Sequence, residues 1–96
     1  MRWVWTAEKN RTNKRDHGLS FETAQRVFDD PLAVNHFDPH PDGNRWQTTG
    51  QVGSVILFVV HTWPMPDPKT GEDTGRIISA RKATNHERRM YEEGEF

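Results

Sequence analysis

The run Val55-Ile56-Leu57-Phe58-Val59-Val60 is the longest uninterrupted apolar stretch of the chain, and it constrains the fold more than any other feature. It is far shorter than the roughly 18 residues that cross a bilayer. Four of its six residues are β-branched, so it predicts a central strand buried on both sides. Gly53-Ser54 just before it predicts a tight turn. On the other side of that turn a strand starting at Arg45 places Trp46, Thr48, Gly50 and Val52 on one face.

A chain of 96 residues has room for one domain, taken here as 1–96. Hydrophobic residues make up 32% and charged residues 28%, with a mean hydropathy of -0.96, so the core must be small and rich in aromatic and β-branched side chains. Four Trp, five Phe and one Tyr supply that area, and a net charge of -1 is far from that of a disordered chain. The chain is too small to enclose a cofactor-scale cavity. With no cysteine, a disulfide framework and any Cys-ligated zinc or iron-sulfur site are excluded. Neither a leader nor a membrane span is expected, and the reading is a soluble cytoplasmic protein.

Along the chain, Trp3-Val4-Trp5 predicts a short strand with both indoles on one face. Thr6 caps a mostly solvated helix over Ala7 to Asp16 that ends at His17-Gly18, where Gly suits the left-handed position. Ser20 caps a second helix with Phe21, Ala24, Val27 and Phe28 at helical spacing, stopped by Asp29-Asp30-Pro31. A strand over Leu32 to Phe37 and a turn-rich loop through Asn44 precede the central hairpin. Pro64 to Gly75, with three Pro and two Gly, predicts a long exposed connection before a strand over Arg76 to Lys82. Thr84-Asn85-His86-Glu87 is a capping box opening a helix that Gly94 closes. The expected class is α+β, a small antiparallel sheet with two N-terminal helices and a short C-terminal helix.

The charge is segregated. Residues 1–26 hold six Lys/Arg against three acids, 27–75 two against seven, and 76–96 five against four. If the ends meet in the fold, a local basic surface suited to phosphates forms on a neutral protein. Phosphoryl transfer needs cations on the non-bridging oxygens and groups that move protons. Lys9, His17, Arg45, His61, Arg76, Arg81, Glu87, Arg88 and Tyr91 are the residues able to supply them. Arg81 stands out because it interrupts an apolar strand. Arg76 has the opposite parity, so joint action of the two requires a bulge. His36-Phe37-Asp38-Pro39-His40 has metal-ligand residue types, but a Pro-rich loop fixes no geometry, and no metal is expected. With no Gly-rich phosphate loop, dinucleotide fingerprint or nucleophile elbow, no cofactor is expected either.

Several of these segments together resemble the BrnT family. They are His17-Gly18-Leu19-Ser20-Phe21-Glu22-Thr23-Ala24, Val27-Phe28-Asp29-Asp30-Pro31, Arg45, Gly50, Val59-Val60-His61-Thr62, Arg76-Ile77-Ile78-Ser79-Ala80-Arg81-Lys82-Ala83, Glu87-Arg88 and Tyr91. The resemblance implies a bacterial type II toxin with a RelE-like ribonuclease fold. It implies RNA cleavage without a metal, by attack of the 2′-hydroxyl on the adjacent phosphate, and a resulting block of translation. Carried over, Arg81 and Arg76 stabilise the pentavalent phosphate, Arg45 positions the backbone, and Lys9, His17 or Tyr91 handles protons. Arg88, Lys14 and Arg15 join Arg45 in RNA binding. The implied partner is a BrnA-type ribbon-helix-helix antitoxin, two toxins with two antitoxins, with DNA contacted only through the antitoxin.

Two departures from the family pattern stand out. Asp16 occupies a position where relatives carry Lys, with Lys14 and Arg15 nearby as substitutes, and the Pro64 to Gly75 connection is long and acidic. A reading of another class therefore stands beside the first. It is a catalytically silent domain that binds its antitoxin and acts in autoregulation of a DNA-bound repressor complex. The fate of Arg76 and Arg81 separates the two.

Overall fold

A computed structural model of the chain describes residues 1–94. In chain order it contains β1 (Arg2–Val4), α1 (Ala7–His17), α2 (Phe21–Ala24), a 3-10 helix (Gln25–Asp29), β2 (Val34–Phe37), β3 (Trp46–Val52), β4 (Val55–His61), β5 (Met65–Pro66), β6 (Asp73–Lys82) and α3 (Asn85–Glu93). The strands form one sheet in the order β1-β6-β4-β3-β2, with β5 also paired to β6. The apolar run is β4, near the middle of this sheet as expected, and its hairpin with β3 runs the full length of both strands. It is not buried on both sides, since no layer covers its second face fully and Phe58 and Val60 are half-buried there.

The expected all-antiparallel sheet is corrected in one place. β1 pairs parallel to β6, Arg2 opposite Thr74 and Val4 opposite Arg76, so the sheet is mixed. Parallel neighbours need a crossover, and here almost the entire chain serves as one. The two basic ends therefore do meet, at β6. The second helix is also shorter than expected. Only Phe21–Ala24 is α-helical, and the backbone then tightens into the 3-10 helix, which still delivers Val27 and Phe28 to the core. The connection after β4 contains β5, which pairs Met65 and Pro66 with Thr74 and Asp73, so β6 begins three residues earlier than expected.

Alternation along the strands divides the side chains between two faces. Leu57, Val59 and His61 of β4 lie opposite Gly50, Thr48 and Trp46 of β3, and all share the face covered by α2 and the 3-10 helix. There Phe21, Ala24, Val27, Leu57, Val59, Ile77 and Ala80 form the buried core. Two glycines permit the close approach. A Cβ at Gly50 would strike the side chain and carbonyl of Val27, and one at Gly75 would strike the Trp3 indole. Trp3 instead stacks on Phe28, with ring centroids 3.8 Å apart.

Asn13 explains how α1 is fixed despite its polar sequence. Its side-chain amide donates to the carbonyls of Ala80 and Leu19, both at 2.8 Å, and its oxygen accepts from the Ala80 amide at 3.1 Å. β1 pairs with β6 only through Thr74 to Arg76. Beyond it, Asn13 takes the place of a neighbouring strand, satisfying a buried edge that would otherwise cost about 1–3 kcal/mol per unpaired group. The predicted caps are all present. Thr6, Ser20 and Thr84 accept from backbone amides at their helix starts, and Gly18 and Gly94 adopt the left-handed conformation. Among the described residues no helix is long and apolar enough to cross a membrane.

Candidate active site on the open face of the sheet

The opposite face carries Val34 and His36 of β2, Gln47 and Thr49 of β3, Phe58 and Val60 of β4, and Ser79 and Arg81 of β6. The register sets them in rows across the strands. Val34, Thr49, Phe58 and Arg81 form one row, and His36, Gln47, Val60 and Ser79 form the next. Strands lie about 4.8 Å apart and successive rows about 6.7 Å apart.

A bulge decides what comes next. Val60 pairs with Ser79, but His61 pairs with Ile77, so the ladder skips Ile78. The extra residue reverses the parity of β6 below that point. Ile77 and Gly75 face the core, and Arg76 emerges on the same face as Arg81. The Arg76 amide donates to the Thr62 hydroxyl and its carbonyl accepts from the Thr62 amide, both at 2.9 Å, which continues the pairing beyond β4. Arg45, one residue before β3, has the parity of Gln47 and lies in the row of Thr62 and Arg76. The bulge that joint action of Arg76 and Arg81 required is therefore present.

Each cation is held differently. Arg81 makes a bidentate pair with Glu87 of α3, Nη1 to Oε1 at 2.7 Å and Nη2 to Oε2 at 3.0 Å. Its guanidinium also lies 4.3 Å from the centre of the Phe58 ring. Bonding to Glu87 raises the Arg81 pKa further, so its charge is fixed. Partial burial opposes ionisation of Glu87, yet Arg81 and the Thr84 amide hold its pKa below the ordinary value. Glu87 thus both closes the capping box and aligns Arg81. Arg45 is half-buried, with Nε 3.8 Å from Asp38 Oδ2, beyond hydrogen-bond reach. That buried Nε–H has no hydrogen-bond partner among the described residues. Arg76 is exposed.

The helix α3 covers only one end of this face, and none of its residues is buried. Beneath it is a cleft of about 130 Å³ lined by His36, Gln47, Thr49, Phe58, Glu87 and Met90. The far side of α3 is fastened by the Tyr91 hydroxyl, which donates to Asp30. Burial and this bond push the Tyr91 pKa up to about 12. Burial also works against the Asp30 charge, but Tyr91 and the Gln51 and Leu32 amides together keep its pKa low.

The remaining sequence candidates lie elsewhere. Lys9, Lys14, Arg15 and His17 are exposed on α1, and His17 borders a hollow with Leu57 and Lys82 on the helix-covered side. Arg88 is exposed on α3 with Nη2 3.4 Å from Asn85. His61 is buried on the core face, where Nε2 lies 2.6 Å from the Thr48 hydroxyl and Nδ1 2.8 Å from the Thr62 carbonyl. Burial lowers its pKa, which favours the neutral ring. Because a carbonyl can only accept, Nδ1 carries a proton. Cross-strand pairing opposite Gln47 brings His36, which lies in the expected Leu32 to Phe37 strand, into the cleft.

The family model for the ribonuclease toxin BrnT of type II toxin-antitoxin systems matches residues 5–87. The chain belongs to this family. The match spans α1 through the first turn of α3 and includes Arg45, Arg76, Arg81 and Glu87. BrnT proteins are ribonuclease toxins, and a type II system implies an antitoxin partner. No curated protein matches the chain.

Proposed function

We propose that this BrnT-family chain is a metal-independent endoribonuclease that cuts RNA on the open face of its sheet and thereby inhibits translation. The observation that carries this reading is the β6 bulge, which sets Arg76 and Arg81 on one face with Arg45. Three guanidiniums along a shallow polar face suit a phosphodiester chain better than an enclosed small molecule. The proposed chemistry is attack of the 2′-hydroxyl on the adjacent phosphate, giving a 2′,3′-cyclic phosphate and a 5′-hydroxyl. Negative charge grows on the non-bridging oxygens during that attack, and fixed cations aimed at it lower the barrier. Arg81 is suited to this role because Glu87 and Phe58 hold it in place. Arg76 shares the charge, and Arg45 positions a neighbouring phosphate. Arg88, Lys14 and Arg15 extend the basic surface along which RNA approaches.

The partner in this reading is a BrnA-type ribbon-helix-helix antitoxin, assembled as two toxins with two antitoxins in the cytoplasm. DNA is contacted through the antitoxin, in keeping with a net charge of -1. The fold is read as RelE-like. The test is induced expression in a bacterium lacking the antitoxin, with wild type and Arg81→Ala at equal protein levels and RNA ends mapped. Growth arrest with new cyclic-phosphate ends, both lost in the variant, is expected. Unimpaired growth with folded protein and intact RNA would replace this reading with the silent antitoxin-binding module.

A further inference from the structure

We infer that the uncovered end of the helix-covered face is the docking surface for a basic segment of the antitoxin, which inserts a large apolar side chain beside Trp63. The inference rests on the antitoxin partner that the family implies and not on where RNA is cut.

The buried core ends at His61, beneath Trp3 and Phe28. Past it the same face carries Asn35 and Phe37 of β2, Trp46 of β3, and Trp63 just beyond β4. The ring centroids of Phe37 and Trp46 are 5.5 Å apart and those of Trp46 and Trp63 4.7 Å, so three rings make one continuous shelf. Phe37 is 56% exposed and Trp63 45%. Next to Trp63 opens a hollow of about 220 Å³ walled by Trp3, Phe28, Asn35, Pro64 and Asp73, with room for one leucine, methionine or aromatic side chain. A single exposed apolar residue is ordinary, whereas a continuous patch marks a binding surface. Trp63 is also held in place. Its amide donates to Asn44 Oδ1 at 2.7 Å and its carbonyl accepts from Asn44 Nδ2 at 3.2 Å. An anchor site fixed before binding lowers the entropy cost of association.

Charge selects the occupant. The segments flanking the shelf, 38–44 and 63–75, hold Asp38, Asp42, Asp67, Glu72 and Asp73 against Lys69 alone. Asp38 faces Arg45, and none of the other four pairs with Lys or Arg among the described residues. These carboxylates repel phosphates, and Arg76 and Arg81 lie on the other face of the sheet, so RNA is disfavoured here. A polypeptide with Lys or Arg on either side of an apolar anchor fits both the rim and the hollow. β2 offers a further hold. It is the edge strand next to the shelf, with β3 as its one neighbour, so a partner's backbone can extend the sheet there.

The experiment titrates the purified antitoxin of this chain's own system into the full chain by calorimetry, at about 0.05 and 0.5 M NaCl. Wild type is compared with Trp63→Ala, with Asp42→Asn/Glu72→Gln/Asp73→Asn, and with Leu32→Ala as an exposed apolar control elsewhere. Thermal melting reads folding, and because the three acids are exposed, the charge variant tests the inference even if Trp63→Ala melts early. Trp63→Ala is expected to weaken binding at least about 30-fold, as truncating a central aromatic anchor does. The charge variant should bind about tenfold more weakly at low salt, with the gap closing at high salt. Leu32→Ala should match wild type. Binding of both shelf variants within about threefold of wild type at both salt concentrations overturns the inference while the antitoxin partner stands. Loss of RNA affinity or of self-association in those variants, with antitoxin binding intact, also overturns it and gives the shelf to RNA or to a second copy. If wild type itself does not bind the antitoxin, the partner reading fails and takes the inference with it.

Discussion

The two faces of the sheet use similar residue types for opposite ends. On the helix-covered face, His61 and Thr48 lie at 1% and 0% exposure, bonded to one another among Trp3, Phe28 and Val59. On the other face of the sheet, His36 and Thr49 border an open cleft together with a carboxylate and a phenyl ring. The two imidazoles lie on opposite faces, one sealed in the core and one bordering a cleft. The difference in cover is equally sharp. Phe21, Ala24 and Val27 are fully buried against the core face, whereas α3 contributes no buried residue and is held by the Glu87–Arg81 and Tyr91–Asp30 bonds. Stability therefore belongs to one face, and the other is free to expose charge.

That division is broken most severely by Phe21→Ala. Emptying a fully buried aromatic site should cost about 3–5 kcal/mol. For a domain of this size that is a fall of tens of degrees in thermal midpoint, readable by calorimetry. A loss below 1 kcal/mol would show that the core face is not where stability resides.

Acid should next weaken the core face through His61. Its folded pKa lies below the ordinary 6.5, so the unfolded chain binds the proton more tightly. The stabilisation is present above about pH 6.5 and lost as pH falls through the lower folded value. Thermal midpoints measured between pH 7.5 and 5 should fall, and His61→Gln should be less stable at pH 7.5 but flatter across the range. Equal slopes for the two proteins would remove His61 from the account.

Tyr91→Phe is the mildest perturbation. It deletes one partly exposed bond under α3 and should cost about 1 kcal/mol. Hydrogen exchange should quicken in α3 while the β4 amides remain protected. Equal acceleration in β4 would mean that α3 is part of the core rather than a cover over it.

Local chemistry made much of this fold legible. The apolar run located β4, and hydroxyl caps and closing glycines located both ends of α1 and α3. What escaped depends on contacts between distant segments. Nothing near Trp3 announces a parallel pairing with Gly75, and the 3-10 tightening after Ala24 comes with the packing of Val27 against Gly50. The site was legible as residue types but not as an arrangement. Arg81 and Glu87 could be singled out, yet their pairing needed the β6 to α3 turn. Arg76 seemed to face away until the bulge at Ile78 reversed its parity. The strand that carries His36 was legible, but its pairing opposite Gln47 joins segments that a turn-rich loop separates.

The central claim is that RNA is cut on the open face. Its most direct test is cleavage of total RNA by purified protein in the presence of EDTA, comparing Arg76→Ala/Arg81→Ala with Lys9→Ala/Lys14→Ala/Arg15→Ala on α1. The account predicts that wild type and the α1 variant generate the same cyclic-phosphate ends, the latter more weakly at raised salt, while the open-face variant generates none. Full cleavage by the open-face variant together with loss in the α1 variant would contradict it and move the site to α1.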